Sequence, residues 1–366
     1  MANSKIKLIK WDAKVLVTGG AGFIGSALVR ALISKYSCEV VTVDKLGYAS
    51  AIEGLAEVMK HPRHRLEVLD ITDQVAIDKF IKAEKPDVIF HLAAETHVDR
   101  SIDSPNEFFR SNILGSFCLL ESVRSYLSTV SGKKLDKFRF LHVSTDEVFG
   151  SLGFDGSFSE DSPYNPTSPY SATKASADHL ARAWYNTYRL PIVLTHCTNN
   201  YGPFQFPEKL VPLMVSNAIL GLPLTSSGDG LTVREWIHVE DHERGLICVT
   251  RGGELGQSYN IGAREEINNL NLVNLICDIL DEILPRAERN SYKTLIQLVE
   301  DRPCHDRRYS INTEKIKVEL GWQPTISLKS GLRETIQWYT NNREWSDKIR
   351  DNVYKGERLG LKAGRS

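Results

Sequence analysis

The sequence has little that could build a metal site or a disulfide framework. Its six cysteines (Cys38, Cys118, Cys197, Cys248, Cys277 and Cys304) are widely scattered among 366 residues, and none forms a C-x-x-C pair. Closely spaced cysteines are what zinc sites and disulfide scaffolds require, so neither is indicated. We therefore expect no bound metal and a reducing compartment.

Long apolar runs and a charge excess are also lacking. No apolar run approaches the roughly 18 residues of a membrane span, and the first residues, MANSKIKLIKWDAK, lack the apolar centre of a signal peptide. The formal net charge of -1 gives no electrostatic reason to bind nucleic acid or an anionic membrane. These absences predict a cytoplasmic protein that binds neither.

What is present is an alternation of apolar strands with helical segments. Strands are predicted at 15–17, 39–44, 65–73, 87–94, 138–145 and 191–197, and helices at 74–83, 105–128 and 170–188. This order, with continuous rather than alternating apolar strands, predicts an α/β fold with a doubly wound parallel sheet. After 198, prolines punctuate the chain and the alternation weakens. We therefore divide it into a nucleotide-binding domain, 1–198, and a smaller α/β substrate domain, 199–366, whose segments can interleave.

A glycine-rich turn joins the first strand to the first helix. It reads Gly19-Gly20-Ala21-Gly22-Phe23-Ile24-Gly25, with the spacing G-x-x-G-x-x-G. Such a turn lets the backbone approach a pyrophosphate at a helix N-terminus, which predicts a Rossmann-type dinucleotide site. Asp44 ends the second strand, where a carboxylate binds a ribose diol and repels a 2′-phosphate. NAD is therefore favoured over NADP, although Lys45 is adjacent.

Two carboxyl side chains follow the fifth strand in the sequence Thr145-Asp146-Glu147, and Tyr170-x-x-x-Lys174 comes later. A Tyr/Lys pair can take a proton from an alcohol during hydride transfer, and two carboxyls can remove one proton and supply another. Taken alone, an Asp-Glu pair is also typical of a helix cap or a solvated loop. Tyr-x-x-x-Lys is likewise typical of a helix surface.

Further motifs resemble one enzyme family. HLAAETHVDRSI (91–102), STDEVFGSLG (144–153), YSATKASADHL (170–180), NNYGPFQFPEKL (199–210) and DRPCHDRRY (301–309) resemble the dTDP-glucose 4,6-dehydratases. That family lies within the extended short-chain dehydrogenase/reductase superfamily. The resemblance implies water loss from a nucleotide-linked hexose, which gives a 4-keto-6-deoxy sugar, with NAD recycled in place.

The resemblance also implies a role for each catalytic residue. Tyr170 takes the proton of the sugar 4-hydroxyl, Lys174 lowers the tyrosine pKa and holds the ribose, and Thr145 binds the 4-oxygen. Glu147 then removes the carbon-5 proton, and Asp146 protonates the departing 6-hydroxyl. The sequence alone leaves open which carboxyl carries the proton at rest.

Binding residues are carried over in the same way. Those expected at NAD are Gly19, Gly22, Phe23, Ile24, Gly25, Asp44, Lys45, Asp70, Ile71, Leu92, Ala93, Ala94, Tyr170 and Lys174. Those expected at the nucleotide sugar are Thr96, His97, Asn199, Glu208, Lys209, Leu210, Ser227, Arg234, Asn269, Arg302, His305 and Tyr354. Two alternatives stay open, because Asp70 is also typical of a helix cap and Thr96-His97 of a helix start.

The chain departs from the family pattern near the expected nucleobase. Thr225-Ser226-Ser227 replaces a segment that usually ends in an aromatic ring, and losing a stacking ring costs about 1 kcal/mol of binding. Uridine- or other nucleoside-linked sugars are therefore alternatives to the dTDP-linked one. Cys304 stands where glycine is usual, and Phe149 where tyrosine is usual.

Two other functions compete with the dehydratase. A 4-epimerase or a decarboxylase on the same scaffold has no use for the Asp146-Glu147 pair, and a catalytically silent NAD-binding regulator has no use for Tyr170 and Lys174. The resemblance further implies a homodimer that packs through the helices at 105–128 and 170–188.

Overall fold

The computed structural model describes residues 10–287, 290–301, 305–352 and 354. The strands are β1 (Lys14–Thr18), β2 (Glu39–Asp44), β3 (His64–Val68), β4 (Val88–His91), β5 (Arg139–Thr145), β6 (Ile192–Cys197), β7 (Asn199–Tyr201), β8 (Leu224–Ser227), β9 (Val233–His238), β10 (Ser258–Ile261), β11 (Glu266–Asn268) and β12 (Ile296–Val299). The helices are α1 (Phe23–Lys35), α2 (Gln74–Glu84), α3 (Val98–Asp103), α4 (Pro105–Phe108), α5 (Gly115–Leu127), α6 (Lys133–Lys137), α7 (Pro169–Tyr188), α8 (Leu210–Ile219), α9 (Val239–Gly252), α10 (Asn269–Ile283), α11 (Glu314–Leu320), α12 (Leu328–Asn341) and α13 (Arg343–Asn352).

The large sheet has seven parallel strands in the order β10-β6-β5-β4-β1-β2-β3. The strand order reverses between β1 and β4, so the carboxyl ends of these strands border a crevice of the kind that binds ligands in open α/β sheets. The predicted doubly wound parallel sheet is confirmed. Its seventh strand, β10, comes from the second half of the chain.

Both faces of the large sheet are covered, because its strands are apolar on both sides. On β1, Val15 and Val17 pack into a core that also contains residues of α1 and α9, while Leu16 packs into a core with residues of α2 and α5. All three are at most 1% exposed. This double burial explains the continuous apolar runs in the sequence.

The remaining elements form a second core. Its sheets are β11-β9-β7 and β12-β8, and the apolar sides of α8, α10 and α12 pack together beside them. After 198 the chain thus builds this core and returns to the large sheet through α9 and β10. The boundary at residue 198 stays a prediction.

Two local differences from the predicted elements have clear causes. The expected helix at 105–128 is interrupted by a wider turn of π-helix at Phe109–Leu114, between α4 and α5. The third strand ends at Val68 rather than 73, because Asp70 accepts a hydrogen bond from the Thr72 N–H at 2.9 Å and Asp73 caps α2. The residues after Val68 are therefore a turn.

Within the part of the chain that the structure describes, no helix is both long and apolar enough to cross a bilayer. The same residues hold no cluster of three or more potential metal ligands, and their five cysteines are free thiols. Cys304 lies outside the described residues, and the cytoplasmic location stays a prediction.

Candidate active site

A cavity of about 330 Å³ lies at the carboxyl ends of the parallel strands. It is bordered by Gly19 after β1, Asp44 on β2, Leu92 after β4, Thr145 on β5 and Cys197 on β6. Its far wall comes from the segment 205–210, which precedes and begins α8. The volume lies within the roughly 300–1,000 Å³ of small-molecule sites.

The glycine turn forms the floor of one end of this cavity. Gly19 has φ +72°, and a Cβ atom added there would lie 2.6 Å from the Ala93 nitrogen. A Cβ atom at Gly25 would overlap the Gly19 carbonyl oxygen. Gly22 begins α1 without a side-chain cap, so the first N–H groups of the helix are available to an anion. These features fit the pyrophosphate of a dinucleotide.

Asp44 is held at the end of β2 by three donors. Its carboxylate accepts hydrogen bonds from the N–H groups of Ala21 at 3.0 Å and Leu46 at 2.8 Å, and from the Ser50 hydroxyl at 2.9 Å. The neighbouring Lys45 forms an ion pair with Glu95 at 3.0 Å. The lysine charge is thereby compensated, which leaves the Asp44 carboxylate to favour a ribose diol over a 2′-phosphate.

The two carboxyls lie where β5 ends. Thr145 caps a short 3₁₀ turn, Asp146–Phe149, by accepting a hydrogen bond from the Glu147 N–H at 3.3 Å. Asp146 is 1% exposed, and its Oδ2 atom has no hydrogen-bond partner among the described residues. Burial, and then the charge of Glu147, raises the pKa of Asp146 well above its usual range. Burial therefore favours the protonated form of Asp146, and this residue does not lie in a solvated loop.

Tyr170 and Lys174 lie in the first two turns of α7. Ser168 caps this helix in a reciprocal pair with Ser171, and the Tyr170 N–H donates to the Ser101 hydroxyl at 3.2 Å. The Lys174 ammonium donates to the Val143 carbonyl of β5 at 2.7 Å. Tyr170 is 7% and Lys174 6% exposed, so this pair faces the cavity and not the helix surface.

Burial makes a phenolate costly at this position. Burial, followed by the Glu147 charge, raises the pKa of Tyr170 well above its usual value, whereas a hydrogen bond with Thr145 lowers it. Burial also lowers the pKa of Lys174. Ionisation of Tyr170 therefore needs nearby positive charge, and Lys174 is the buried cation one helical turn away.

The segment expected at the sugar closes the opposite wall. Asn199, Glu208, Lys209, Leu210 and Thr96 line the cavity, and Lys209 Nζ donates to the Thr96 carbonyl at 3.0 Å. His97 begins α3 and accepts a hydrogen bond from the Arg100 N–H, which is the helix start left open by the sequence. Its Nε2 atom also lies 4.0 Å from Glu208 Oε2, behind the wall.

The other expected cofactor residues also line the cavity. They are Gly22, Phe23, Ile24, Asp70, Ile71, Ala93 and Ala94. Asp70 thus borders the cavity and forms the turn before α2, whereas the cap of α2 is Asp73, so the helix-cap alternative for Asp70 is wrong and its contact with the cofactor stays a prediction.

The residues expected at the diphosphate and nucleoside, as far as the structure describes them, lie outside the cavity lining. Arg234 on β9 packs its guanidinium 4.2 Å from the centre of the Tyr309 ring and donates to the Asp306 carbonyl at 2.9 Å. Its charge still lowers the pKa of Asp146, although burial and the Glu147 charge outweigh it. Arg234 is therefore electrostatically connected to the carboxyl pair.

The other expected residues that the structure describes lie on several different elements. Ser227 ends β8 beside Val299 of β12, and Asn269 begins α10 with a buried Oδ1 atom that lacks a partner among the described residues. His305 Nδ1 lies 2.6 Å from Asp301 Oδ1. Tyr354 is buried and its N–H donates to the Ile349 carbonyl. Arg302 and Cys304 lie outside the described residues.

The sequence interpretation missed Tyr48, which lines the cavity. The Arg100 guanidinium lies 3.7 Å from the centre of the Tyr48 ring, and the Tyr48 hydroxyl forms a hydrogen bond with Glu208. Tyr48 thus links the loop after β2 to the wall that contains Glu208. Its place just after a strand end was the available signal, but a lone tyrosine in KLGYASA is not distinctive.

Comparison with known proteins agrees with this geometry. The GDP-mannose 4,6 dehydratase family matches residues 16–335. A dTDP-glucose 4,6-dehydratase of Neisseria meningitidis is 50% identical over 350 residues, which cover 95% of this chain and 99% of the relative.

Two solved structures mark the breadth of the likeness. The dTDP-glucose 4,6-dehydratase DesIV of Streptomyces venezuelae, solved with NAD bound, is 41% identical with a TM-score of 0.84 and covers 92% of this chain and 99% of its own. A UDP-glucose 4-epimerase of Thermotoga maritima is 27% identical with a TM-score of 0.79, covering 90% and 99%. The scaffold is thus shared with epimerases, so the site must separate the two reactions.

Proposed function

This chain belongs to the GDP-mannose 4,6 dehydratase family, and on that premise we propose that it removes water from dTDP-glucose. The product is dTDP-4-keto-6-deoxyglucose. The observation that supports this reaction most directly is that Asp146, whose pKa is raised by burial, lies beside Glu147 in the cavity that also contains Tyr170 and Lys174.

The cofactor is NAD, and the residues present fit it. The glycine turn and the start of α1 would hold the pyrophosphate, Asp44 would hold the adenosine ribose, and Lys174 would hold the nicotinamide ribose, since all of these line the cavity. When bound, NAD supplies a positively charged ring that accepts hydride from carbon 4 and returns it to carbon 6. Because the cofactor ends as it began, no net reduction occurs.

Tyr170 is the base for oxidation at carbon 4. As phenolate it takes the proton of the 4-hydroxyl, while the Thr145 hydroxyl binds the same oxygen. Burial disfavours this phenolate, so Lys174 must be charged to support it. The ketone formed at carbon 4 acidifies the hydrogen on carbon 5.

Glu147 and Asp146 then carry out the elimination. Glu147 removes the carbon-5 proton, and Asp146 gives its proton to the departing 6-hydroxyl, which leaves as water. Glu147 then returns the proton that it took to carbon 5, and the bound cofactor would supply the hydride for carbon 6. Because burial raises the pKa of Asp146, we assign the resting proton to Asp146.

A 4-epimerase is the second candidate, since an epimerase shares the scaffold. Epimerisation moves hydride off and onto carbon 4 and leaves carbons 5 and 6 unchanged. It therefore gives no role to a protonated carboxyl beside the Tyr/Lys pair. We favour the dehydratase for this reason.

The substrate nucleotide is assigned through the wall and the second core. We propose that Thr96, His97, Asn199, Glu208, Lys209 and Leu210 bind the hexose, and that Ser227, Arg234, Asn269, Arg302, His305 and Tyr354 bind the diphosphate and nucleoside. Ser227 offers a hydroxyl in place of a stacking ring. A UDP-linked or other nucleoside-linked hexose is therefore the alternative substrate.

Incubation with dTDP-glucose and, separately, UDP-glucose tests both points. No NAD is added, and the products are weighed by mass spectrometry. Loss of one water without accumulation of reduced cofactor supports the dehydratase, and the faster nucleotide gives the base preference. An unchanged mass together with an inverted carbon 4 by NMR would instead identify an epimerase.

We further propose a homodimer that packs through α5, α7 and the π-helical turn before α5. This side exposes Phe109 by 54%, Phe117 by 38% and Tyr188 by 48%, and the Phe117 ring meets Trp184 edge to face. Large exposed rings grouped on adjacent helices are typical of protein interfaces. Size-exclusion chromatography with light scattering tests this, and a monomer mass contradicts it.

A further inference from the structure

A buried carboxylate lies one helical turn beyond the catalytic lysine. Asp178 follows Lys174 by four residues on α7, so the two side chains share a face of the helix. Asp178 is 0% exposed and does not line the cavity. Asp178 has no role in the dehydration steps. Burying an ionised carboxylate is costly unless other groups pair with it, so its surroundings need an explanation.

Asp178 is surrounded by hydrogen-bond donors. Its Oδ1 atom lies 3.0 Å from His142 Nε2, and its Oδ2 atom lies 2.8 Å from the Ser144 hydroxyl, 2.9 Å from the Tyr164 hydroxyl and 3.2 Å from His196 Nε2. Burial alone would raise the pKa of Asp178, but the hydrogen bonds from the two histidines hold it far below its usual range. These hydrogen bonds therefore favour the ionised form of Asp178.

The same strand holds both charged groups. The Val143 carbonyl accepts from Lys174, and the next residue, Ser144, donates to Asp178. Two successive residues of β5 thus fix the ammonium and the carboxylate relative to each other. This arrangement is more specific than two charges that merely share a helix.

Asp178 is a charged group that acts on the buried Lys174. Several other titratable groups surround Lys174, and they come from each element that packs against it. They are His91 on β4, His142 on β5, Asp146 and Glu147 in the turn after β5, His196 and Cys197 on β6, and Tyr170 on α7. Burial raises the pKa of Cys197 to about 12 and raises the pKa of Asp146 and of Tyr170 well above its usual value, which disfavours the anionic form of each. Two groups raise the pKa of Lys174 against the effect of burial, and the effect of Asp178 is larger than that of Cys197.

We propose that Asp178 is a positioning residue, the buried counter-charge that keeps Lys174 an ammonium ion and holds it against the Val143 carbonyl. The inference rests on the proposed function, because a charged Lys174 matters for the Tyr170 phenolate. Asp178 touches neither substrate nor cofactor and acts through the lysine.

A direct titration of Lys174 tests the charge without measuring activity. Protein labelled with ¹³C at the lysine Cε atom is followed by NMR against pH, and the signal missing in Lys174→Met assigns the residue. The wild type should keep Lys174 charged throughout the neutral range. A lysine that is already neutral at neutral pH overturns the proposal, even if Asp178→Asn fails to fold.

The pH profile of Asp178→Asn tests the consequence. A nearby opposite charge shifts a pKa by about 1–3 units. Lys174 in the variant should therefore lose its proton at lower pH, and the alkaline limb of kcat/KM should move toward acid by at least about one unit. Above the alkaline midpoints of both proteins, kcat/KM of the variant should be at least about tenfold below that of the wild type. At the acid end of the profile it should approach the wild-type value.

Tyr164→Phe is the matched control, since it removes one donor to Asp178 and retains the carboxylate. Its alkaline limb should stay with that of the wild type. A uniformly slower Asp178→Asn with an unshifted limb would reduce Asp178 to a structural role and overturn the proposal. If the wild type does not dehydrate a nucleotide sugar, the proposed function fails, and the NMR titration of Lys174 in the wild type and in Asp178→Asn still decides the role of Asp178.

Discussion

Replacement of Asp146 by asparagine separates the oxidation from the elimination. In the account above, Asp146 is neutral, and asparagine has nearly the same shape and charge as a protonated aspartic acid. The Oδ2 atom has no hydrogen-bond partner among the described residues, so the substitution breaks no hydrogen bond at that atom. The free energy of unfolding should change by only about 1 kcal/mol.

The catalytic effect should be far larger than the structural one. General acid catalysis contributes roughly 10²- to 10⁴-fold, which corresponds to about 3–5 kcal/mol of activation free energy. The rate of water loss by Asp146→Asn should fall by that factor. Oxidation at carbon 4 should continue, because Tyr170, Lys174 and Thr145 are unchanged.

Rapid mixing with dTDP-glucose measures both outcomes. Absorbance of reduced nicotinamide should rise within one turnover and then persist in the variant, while mass spectrometry records little dehydrated product. Tyr170→Phe is the comparison, since it should prevent the first rise. Water loss by Asp146→Asn at the wild-type rate would refute the assignment of Asp146 as the acid.

Three other substitutions test the site, the stability and the assembly. Gly25→Ala should abolish NAD retention, measured as cofactor released per denatured chain, because its Cβ atom would overlap the Gly19 carbonyl; full occupancy would contradict the turn geometry. Burial raises the pKa of Glu243 from 4.5 to about 7 despite its ion pair with Lys35. A carboxyl whose pKa is raised in the folded state stabilises the fold at pH values below its unfolded-state pKa. This contribution, up to about 3 kcal/mol, is lost as the pH rises through the folded-state pKa. Glu243→Gln should lack that loss in urea denaturation, and parallel pH profiles of the two proteins would argue against it. Phe117→Glu should yield monomers in light scattering, because it puts a charge on the proposed interface; an unchanged dimer mass would move the interface elsewhere.

The fold could be predicted from sequence because its pattern is local. Continuous apolar strands separated by helical segments specify a parallel sheet covered on both faces, and the glycine spacing fixes where the first strand meets the first helix. The return of β10 to this sheet was not predictable, since SYNI is short and nothing in it specifies a neighbour. The π-helical turn at 109–114 likewise has no sequence signature.

The functional site was likewise predictable where its residues stand in local sequence motifs. Thr145, Asp146, Glu147, Tyr170 and Lys174 stand in motifs, and the structure brings them to one cavity. The proton on Asp146 could not be assigned from sequence, because it depends on burial that only the folded chain creates. The role of Asp178 could not be predicted from sequence either, because only the folded chain brings its four hydrogen-bond donors together.

The central claim is that this chain dehydrates a nucleotide sugar with a cofactor that it keeps. The most direct measurement is the mass of the sugar nucleotide after incubation of the purified protein with dTDP-glucose, without added NAD. The account predicts the loss of one water per substrate over many turnovers, with no build-up of reduced cofactor. An unchanged mass for both dTDP-glucose and UDP-glucose, from protein that contains NAD, would contradict it.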